Sequence, residues 1–490
     1  MMATSSLDSE VSEFHAPYWS LLPDKVAESI LALLSPGELI HAEMACRRWY
    51  FLAQLLWVRF RRLELKSGIS LEAVAAKLSG RNSLLFLAVR DYWPCTRSAV
   101  SLPKVGLSTS SLRSLHLIDC EVDNNLLAAV AQTWKQLEDL KTRKKHREYP
   151  FQPTLDDGLS LIFNCCPRLV SLDMYTDRLP PPKVLERVNR ANFQHLSLKS
   201  HYYRAEFFED FYETVGQMPN LLTLKLDFIY DHHISDWWPE SSLIQFLTKV
   251  GEQCEHLAHV RLRLAEHYSR QTVPLWRFTS GLKSYQNLVD LNLDGNEGLE
   301  TPDMTAIGLW CDKLRSLSLA NSHIGAERSL DPLIGCSKLQ QLNLSEVKYY
   351  NFETRAYHPI TDNTLTFLTT CMSIQRLSLS GCLGLTTQRL RKLLASMVRS
   401  GNLYSVDCTR VSCFNNDLIR TLYAQLNPSA VEFKPSKGWK QLLSIIADHP
   451  IAASSQMLNQ ARGIAQTPIR GLAVRNRSGP AVEIIFMVVV

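Results

Sequence analysis

The residues best suited to chemistry in this 490-residue chain are twelve cysteines and fourteen histidines, and their spacing points away from metal and redox work. No Cys-x-x-Cys pair occurs, so neither a zinc knuckle nor a dithiol redox centre has its ligands close in sequence. His232–His233 and His256/His259 are too loosely placed to propose a metal, and a surface or packing role suits them better. A phosphate-cradling glycine loop, GxGxxG, HExxH and GxSxG are all missing. The expectation is a chain with no catalytic residue, no metal and no cofactor, one that binds rather than transforms.

Eight of the cysteines obey a different spacing. Cys166, Cys254, Cys311, Cys336 and Cys371 each stand three residues before a recurring LxxLxL segment, Cys120 and Cys382 fill its ninth position, and Cys408 replaces its third leucine. The best copies of the segment begin at Leu112, Leu288, Leu314, Leu339 and Ile374. Weaker ones begin at Leu84, Leu137, Leu169, Phe193, Leu221, Leu257 and Leu403, with 24 to 36 residues between neighbours. An LxxLxL run reads as a short strand whose leucines share one side. One repeat cannot bury that side alone, so about three or more must stack. Periodic thiols in such a stack are core packing, reduced and slow to react.

The pattern resembles leucine-rich repeats of the cysteine-containing subclass, with Asn or Cys at the ninth position (Cys120, Asn296, Cys382). The resemblance implies an α/β leucine-rich-repeat solenoid, a horseshoe of parallel inner strands and outer helices, for example at 362–371 and 388–397.

Ahead of the repeats, residues 22–60 read LPDKVAESILALLSPGELIHAEMACRRWYFLAQLLWVRF. Val26, Ile30, Leu33 and Leu34 fall at helical spacing on one face. Ser35-Pro36-Gly37-Glu38 has the form of a capping box opening a second helix. Three short helices with this much apolar surface cannot bury it all among themselves, so some must meet the repeats or a partner. The LPD start, the Ser-Pro turn, Leu39, the Cys46-Arg47-Arg48-Trp49 run, Trp57 and an aromatic at Trp19 together resemble the F-box family. That resemblance implies binding to a SKP adaptor, which bridges to a cullin scaffold carrying a ubiquitin-conjugating enzyme. The positions it places against the adaptor are Trp19, Leu22, Pro23, Ile30, Pro36, Leu39 and Ile40, while Cys46, Trp49 and Trp57 hold the helices together with equal plausibility.

In each LxxLxL strand the third, fifth and seventh residues face away from the leucines. Over the copies from Leu137 to Leu257 they include Lys141, Arg143, Lys199, Lys225, Arg261 and Arg263 against Asp139, Asp173 and Asp227. Such a face can read an acidic or phosphorylated segment, and an ordinary solvated sheet face is an equally good reading. Aromatics crowd the segments after several strands, among them Tyr230, Trp237, Trp238, Tyr268, Tyr349 and Tyr350. At similar offsets in a solenoid they would line one rim. Tyr and Trp are favoured interface anchors, so the substrate-binding residues expected are these six with Lys199, Lys225, Arg261 and Arg263.

Composition is globular, 46% hydrophobic and 21% charged, and a net charge of +5 is too small to single out nucleic acid over the whole chain. The basic run 141–147 is a solvated loop before it is a nuclear signal or a nucleic-acid patch. The polar N-terminus and the lack of long apolar runs lead us to expect no membrane and a cytoplasmic and/or nuclear protein. The expected organisation is a flexible start (1–17), an F-box (18–62), repeats (63–413), a C-terminal cap (414–465) and a flexible tail (466–490). The expected function is the substrate-recognition subunit of an SCF-type ubiquitin ligase, binding an unknown protein substrate through its repeats. A non-degradative leucine-rich-repeat scaffold is the alternative.

Overall fold

The structure is a computed structural model. It describes residues 22–66, 69, 71–78, 84–91, 111–120, 122–143, 155–178, 181–202, 211, 213–229, 240–265, 280–296, 298–351, 354–399, 402–403, 405–408, 411, 472–474 and 482–484. The chain divides into two compact units, Met1–Pro153 with Asp157–Leu169, and Thr154–Asp156 with Val170–Val490.

The first unit opens with three helices, α1 (Asp24–Leu31), α2 (Pro36–Glu43) and α3 (Arg47–Arg59). The expected capping box is formed: Ser35 Oγ accepts from Glu38 N, and Glu38 Oε2 accepts from Ser35 N at 2.8 Å, with Pro36 at the first helical position. These two hydrogen bonds hold the Glu38 carboxyl below its ordinary range. Cys46 caps α3 through its sulfur, which accepts from Trp49 N. Arg48 ties α3 to the start of α1 through Asp24, at 2.7 Å, and the Leu22 carbonyl.

Arg62–Lys66 (β1) follows directly, then α4 (Leu71–Leu78), β2 (Phe86–Arg90), β3 (Ser114–Ile118) and β4 (Asp139–Arg143). The four strands pair in order and in parallel, with Leu63, Leu87, Leu115 and Leu140 in one register row. Helices Asn124–Thr133 and Asp156–Cys165 are the crossovers. A buried charge joins the three-helix module to this sheet. Glu43 accepts from Trp57 Nε1 and pairs with Lys77 on α4, so a carboxylate only 6% exposed is fully engaged.

The second unit continues the same design. Its strands are β5 (Ser171–Arg178), β6 (His195–Tyr202), β7 (Thr223–Ile229), β8 (His259–Ala265), β9 (Asp290–Asn292), β10 (Ser316–Ser318), β12 (Gln341–Asn343), β15 (Arg376–Ser378) and β16 (Ser405–Asp407), all parallel in that order. A separate small sheet holds β11 (His323–Ile324), β13 (Lys348–Asn351) and β14 (Ala356–Pro359). Each of the twelve LxxLxL copies yields a strand that begins two residues after its first leucine or equivalent. The fold is an α/β leucine-rich-repeat solenoid carrying an N-terminal helical module.

One repeat escaped the sequence reading. Phe60-Arg61-Arg62-Leu63-Glu64-Leu65 is itself an LxxLxL variant and forms β1, so strand structure begins at the very end of the expected F-box segment. Within the segment expected to be flexible, Leu472–Val474 (β17) and Val482–Ile484 (β18) pair antiparallel, and Glu483 registers with Ser405. The expected C-terminal cap lies outside the described residues.

The phased cysteines are buried, all eight of them. Their work is to satisfy backbone groups between repeats. In the first unit Cys166 Sγ donates to Trp134 O, and in the second Cys254 donates to Val215 O and Cys336 to Ile307 O, in each case a carbonyl one repeat upstream. At the ninth position Asn296 Nδ2 reaches Leu262 O and Leu293 O at 2.7 Å, while Cys382 donates to Leu344 O and Cys120 to Val89 O. Burial pushes the Cys166, Cys254, Cys311, Cys336 and Cys382 thiols up to about 12, and Cys371 up to about 11.

Candidate functional site

Two surfaces could receive a partner. The first is on the three-helix module. Its core is Ala27, Leu31, Leu39, Ala42, Leu52, Ala53, Leu56 and Trp57. Packing that core leaves apolar side chains facing water: Val26 and Leu33 at α1, Met44 after α2, and Tyr50, Phe51, Leu55 and Val58 on α3. Leu33 is 86% exposed, Met44 79% and Phe51 67%. Residues 51, 55 and 58 recur at i, i+4 and i+7, one stripe of α3, while Leu52 and Leu56 form another that is buried. A helix apolar on two faces has one face too many for its own core.

The expected adaptor-facing positions divide. Pro23 is exposed, and Leu22, Ile30, Pro36 and Ile40 are half-buried. Leu39 is corrected: with no exposed surface it is a core residue, because α2 lays it between its neighbours. Trp19 lies outside the described residues. The spacing of Val26 and Leu33 did mark one face of α1, but it is the open face; Ala27 and Leu31 make the core contact. The sequence signal for the missed residues Phe51, Leu55 and Val58 was available in RRWYFLAQLLWVR, whose apolar side chains surround most of the helix.

The second surface is the polar side of the parallel strands in the second unit. Register places Ser197, Lys225, Arg261 and Asn292 in one row, and Lys199, Asp227 and Arg263 in the next. The basic wall is smaller than its residue count suggests. Asp227 stands between Lys199, whose Nζ is 3.4 Å away, and Arg263, whose Nε is 3.9 Å away. Lys199 and Arg263 are therefore largely neutralised at home. Lys225 is exposed and Arg261 half-buried, and the Arg261 Nε has no hydrogen-bond partner. Lys141 and Arg143 belong to the first unit.

On either side of this pair the strand faces are spoken for. Ser197 donates to Asp173, and His195 shares a hydrogen bond with Thr223. Asp294 accepts from Ser318 Oγ, Ala320 N and Asn292 Nδ2, and His259 Nδ1 lies 3.6 Å from Asp290.

The aromatic rim is mostly outside the described residues: Tyr230, Trp237, Trp238 and Tyr268 all fall there. Tyr349 and Tyr350 are described and half-buried. They sit on β13, in a hairpin with β14, and not on the strands that carry Lys225 and Arg261. Tyr350 meets Tyr357 edge-on at 5.3 Å, Tyr357 stacks on His323 at 4.0 Å, and Tyr349 lies 5.9 Å from His358. These rings pack on each other, which is the role of a hairpin brace. Among the described residues no group of three or more His, Cys, Asp or Glu could hold a metal, and no helix is long and apolar enough to cross a membrane.

The F-box-like family model matches residues 19–62, the module that carries the open apolar stripe. No curated protein matches the chain. Among solved structures, an internalin from Listeria monocytogenes aligns over 84% of this chain and 95% of its own, at 10% identity and a TM-score of 0.38. The chain is thus an F-box protein whose remaining described strands are leucine-rich repeats. F-box domains generally bind SKP-type adaptors, and this combination of modules is typical of non-catalytic adaptor proteins.

Proposed function

We propose that the chain is the substrate-recognition subunit of an SCF-type ubiquitin ligase, cytoplasmic or nuclear, its F-box seating a SKP adaptor and through it a cullin scaffold, and its repeats holding the protein to be ubiquitinated. The observation that carries this reading is the second apolar face of α3, with Phe51, Leu55 and Val58 open to water beside a complete core. A module that only shielded the end of the repeats would not keep such a stripe uncovered. Pro23, Leu22, Ile30, Pro36 and Ile40 border it as further contacts. The chain itself breaks and makes no bond; it raises the concentration of a substrate lysine near a charged conjugating enzyme.

The test is co-purification of a SKP adaptor with the full chain and with Phe51→Asp/Leu55→Asp. Both sites are exposed, so folding should persist while adaptor recovery falls to background. Equal recovery with the folded double variant would sink the assignment of this face. A non-degradative scaffold would show the same adaptor binding, but its partners would not accumulate when residues 22–60 are deleted.

A further inference from the structure

We infer that Lys225 and Arg261 form the recognition site for a single phosphate group on the bound protein, so that the repeats capture a phosphorylated segment. This deepens the ligase-subunit reading and rests on it only in taking the ligand to be a protein.

The argument starts from register. Lys225 on β7 and Arg261 on β8 are direct partners across the sheet. Neighbouring strands lie about 4.8 Å apart, so the two cationic side chains leave the sheet side by side. Like charges directly opposite in a sheet destabilise it. Here nothing offsets them: among the described residues neither has a carboxylate partner, whereas the next pair along, Lys199 and Arg263, shares Asp227. The strands thus place an acid where a structural ion pair is wanted and omit it one row away. In the omitted row the flanking residues are Ser197 and Asn292, neutral on both sides.

What fills the gap must carry about two negative charges in a small volume, because two cations await it. A phosphate ester does so and offers three acceptor oxygens, enough for the Arg261 guanidinium and the Lys225 ammonium together. A lone carboxylate would satisfy one of them. A long polyanion is disfavoured by the surroundings. Asp173 on β5, Asp227 on β7, and Asp290 and Asp294 beside β9 place carboxylates around the pair. An acidic run or a nucleic-acid backbone would meet those carboxylates, whereas one phosphate in an otherwise neutral segment would not. The pattern selects an isolated dianion.

The full chain co-expressed with a SKP adaptor is the material for the test. The probe is a degenerate peptide library fixed only at a central phosphoserine, set against its unphosphorylated counterpart, a glutamate-rich peptide and single-stranded RNA at the same ionic strength. We expect the phosphoserine library to be retained above the other three. Lys225→Ala with Arg261→Gln should reduce that retention about tenfold or more, since each removes a charge-assisted hydrogen bond. Lys225→Ala alone, at an exposed position that tolerates truncation, should reduce it less but measurably. Equal retention of the phosphorylated and unphosphorylated libraries overturns the inference, as does stronger retention of the glutamate-rich peptide or RNA. So does undiminished retention by Lys225→Ala. Adaptor binding is read separately, on the F-box, so this site can fail while the ligase reading stands.

Discussion

Two leucines in the F-box show how little a residue's type says about its role. Leu39 is wholly buried and Leu33 is 86% exposed, though both are apolar and eight residues or fewer apart. The difference lies in which side of a short helix meets the other two. Leu39→Ala should therefore act on folding, costing about 2–5 kcal/mol as a buried truncation that leaves a cavity. Hydrogen exchange of amides in residues 24–59 would report it as loss of protection in all three helices. If protection is unchanged and only adaptor affinity drops, Leu39 faces the adaptor after all. Leu33→Ala should leave exchange rates as they are. The same logic applies to Lys199 and Lys225, two lysines on adjacent strands, one paired with Asp227 and the other with no acid.

Among the elements, one close approach decides how the repeats stack between helix Thr301–Trp310 and the turn of 3₁₀-helix at Asp331–Gly335. A Cβ on Gly308 would come within 2.3 Å of Pro332 O, and one on Gly335 within 2.4 Å of Gly308 O. Two backbones touch here with no side chain between them. Gly308→Ala would gain about 1 kcal/mol of helix propensity. It must also push a backbone carbonyl away, and overpacking of this kind costs about 1–3 kcal/mol. The carbonyl belongs to a rigid turn rather than a flexible side-chain end, so the clash should win. A lowered denaturant midpoint for Gly308→Ala is the expected outcome, and a raised one would show that the repeats can slide apart at this point.

For the whole molecule the buried thiols set a pH limit. Six of them have their pKa raised from an ordinary 9.0 to about 11 or 12 by burial. A raised value means the folded state favours the protonated thiol. That advantage is complete below pH 9, where the unfolded chain is protonated too. It is lost as pH climbs from 9 toward the folded values, because unfolded thiols then ionise and folded ones do not. Urea midpoints should accordingly be level near neutral pH and fall steeply above about pH 9. A midpoint that stays flat to about pH 10.5 would mean that the thiols reach water. The same burial should leave these cysteines slow toward alkylating reagents until the chain unfolds, with Cys46, exposed at the start of α3, the fast one.

Much of this protein was legible in one dimension because its order is itself nearly one-dimensional. A repeat needs leucines on one side of a strand and a hydrogen-bonding side chain where the strand ends, and both recur at fixed offsets. Each of the twelve LxxLxL copies accordingly became a strand at the same phase, including the degenerate ones at Leu137 and Leu403. The capping box at Ser35–Glu38 is equally local and equally readable. The start of β1 was hidden only because phenylalanine replaced the first leucine. Which apolar face of α3 is covered, that Leu39 lies inside, and that Asp227 cancels Lys199 and Arg263 while leaving Lys225 and Arg261 uncompensated were decided by the tertiary structure. Each depends on what stands across a gap from another helix or strand, and a linear pattern specifies a side chain's own direction but not its neighbour.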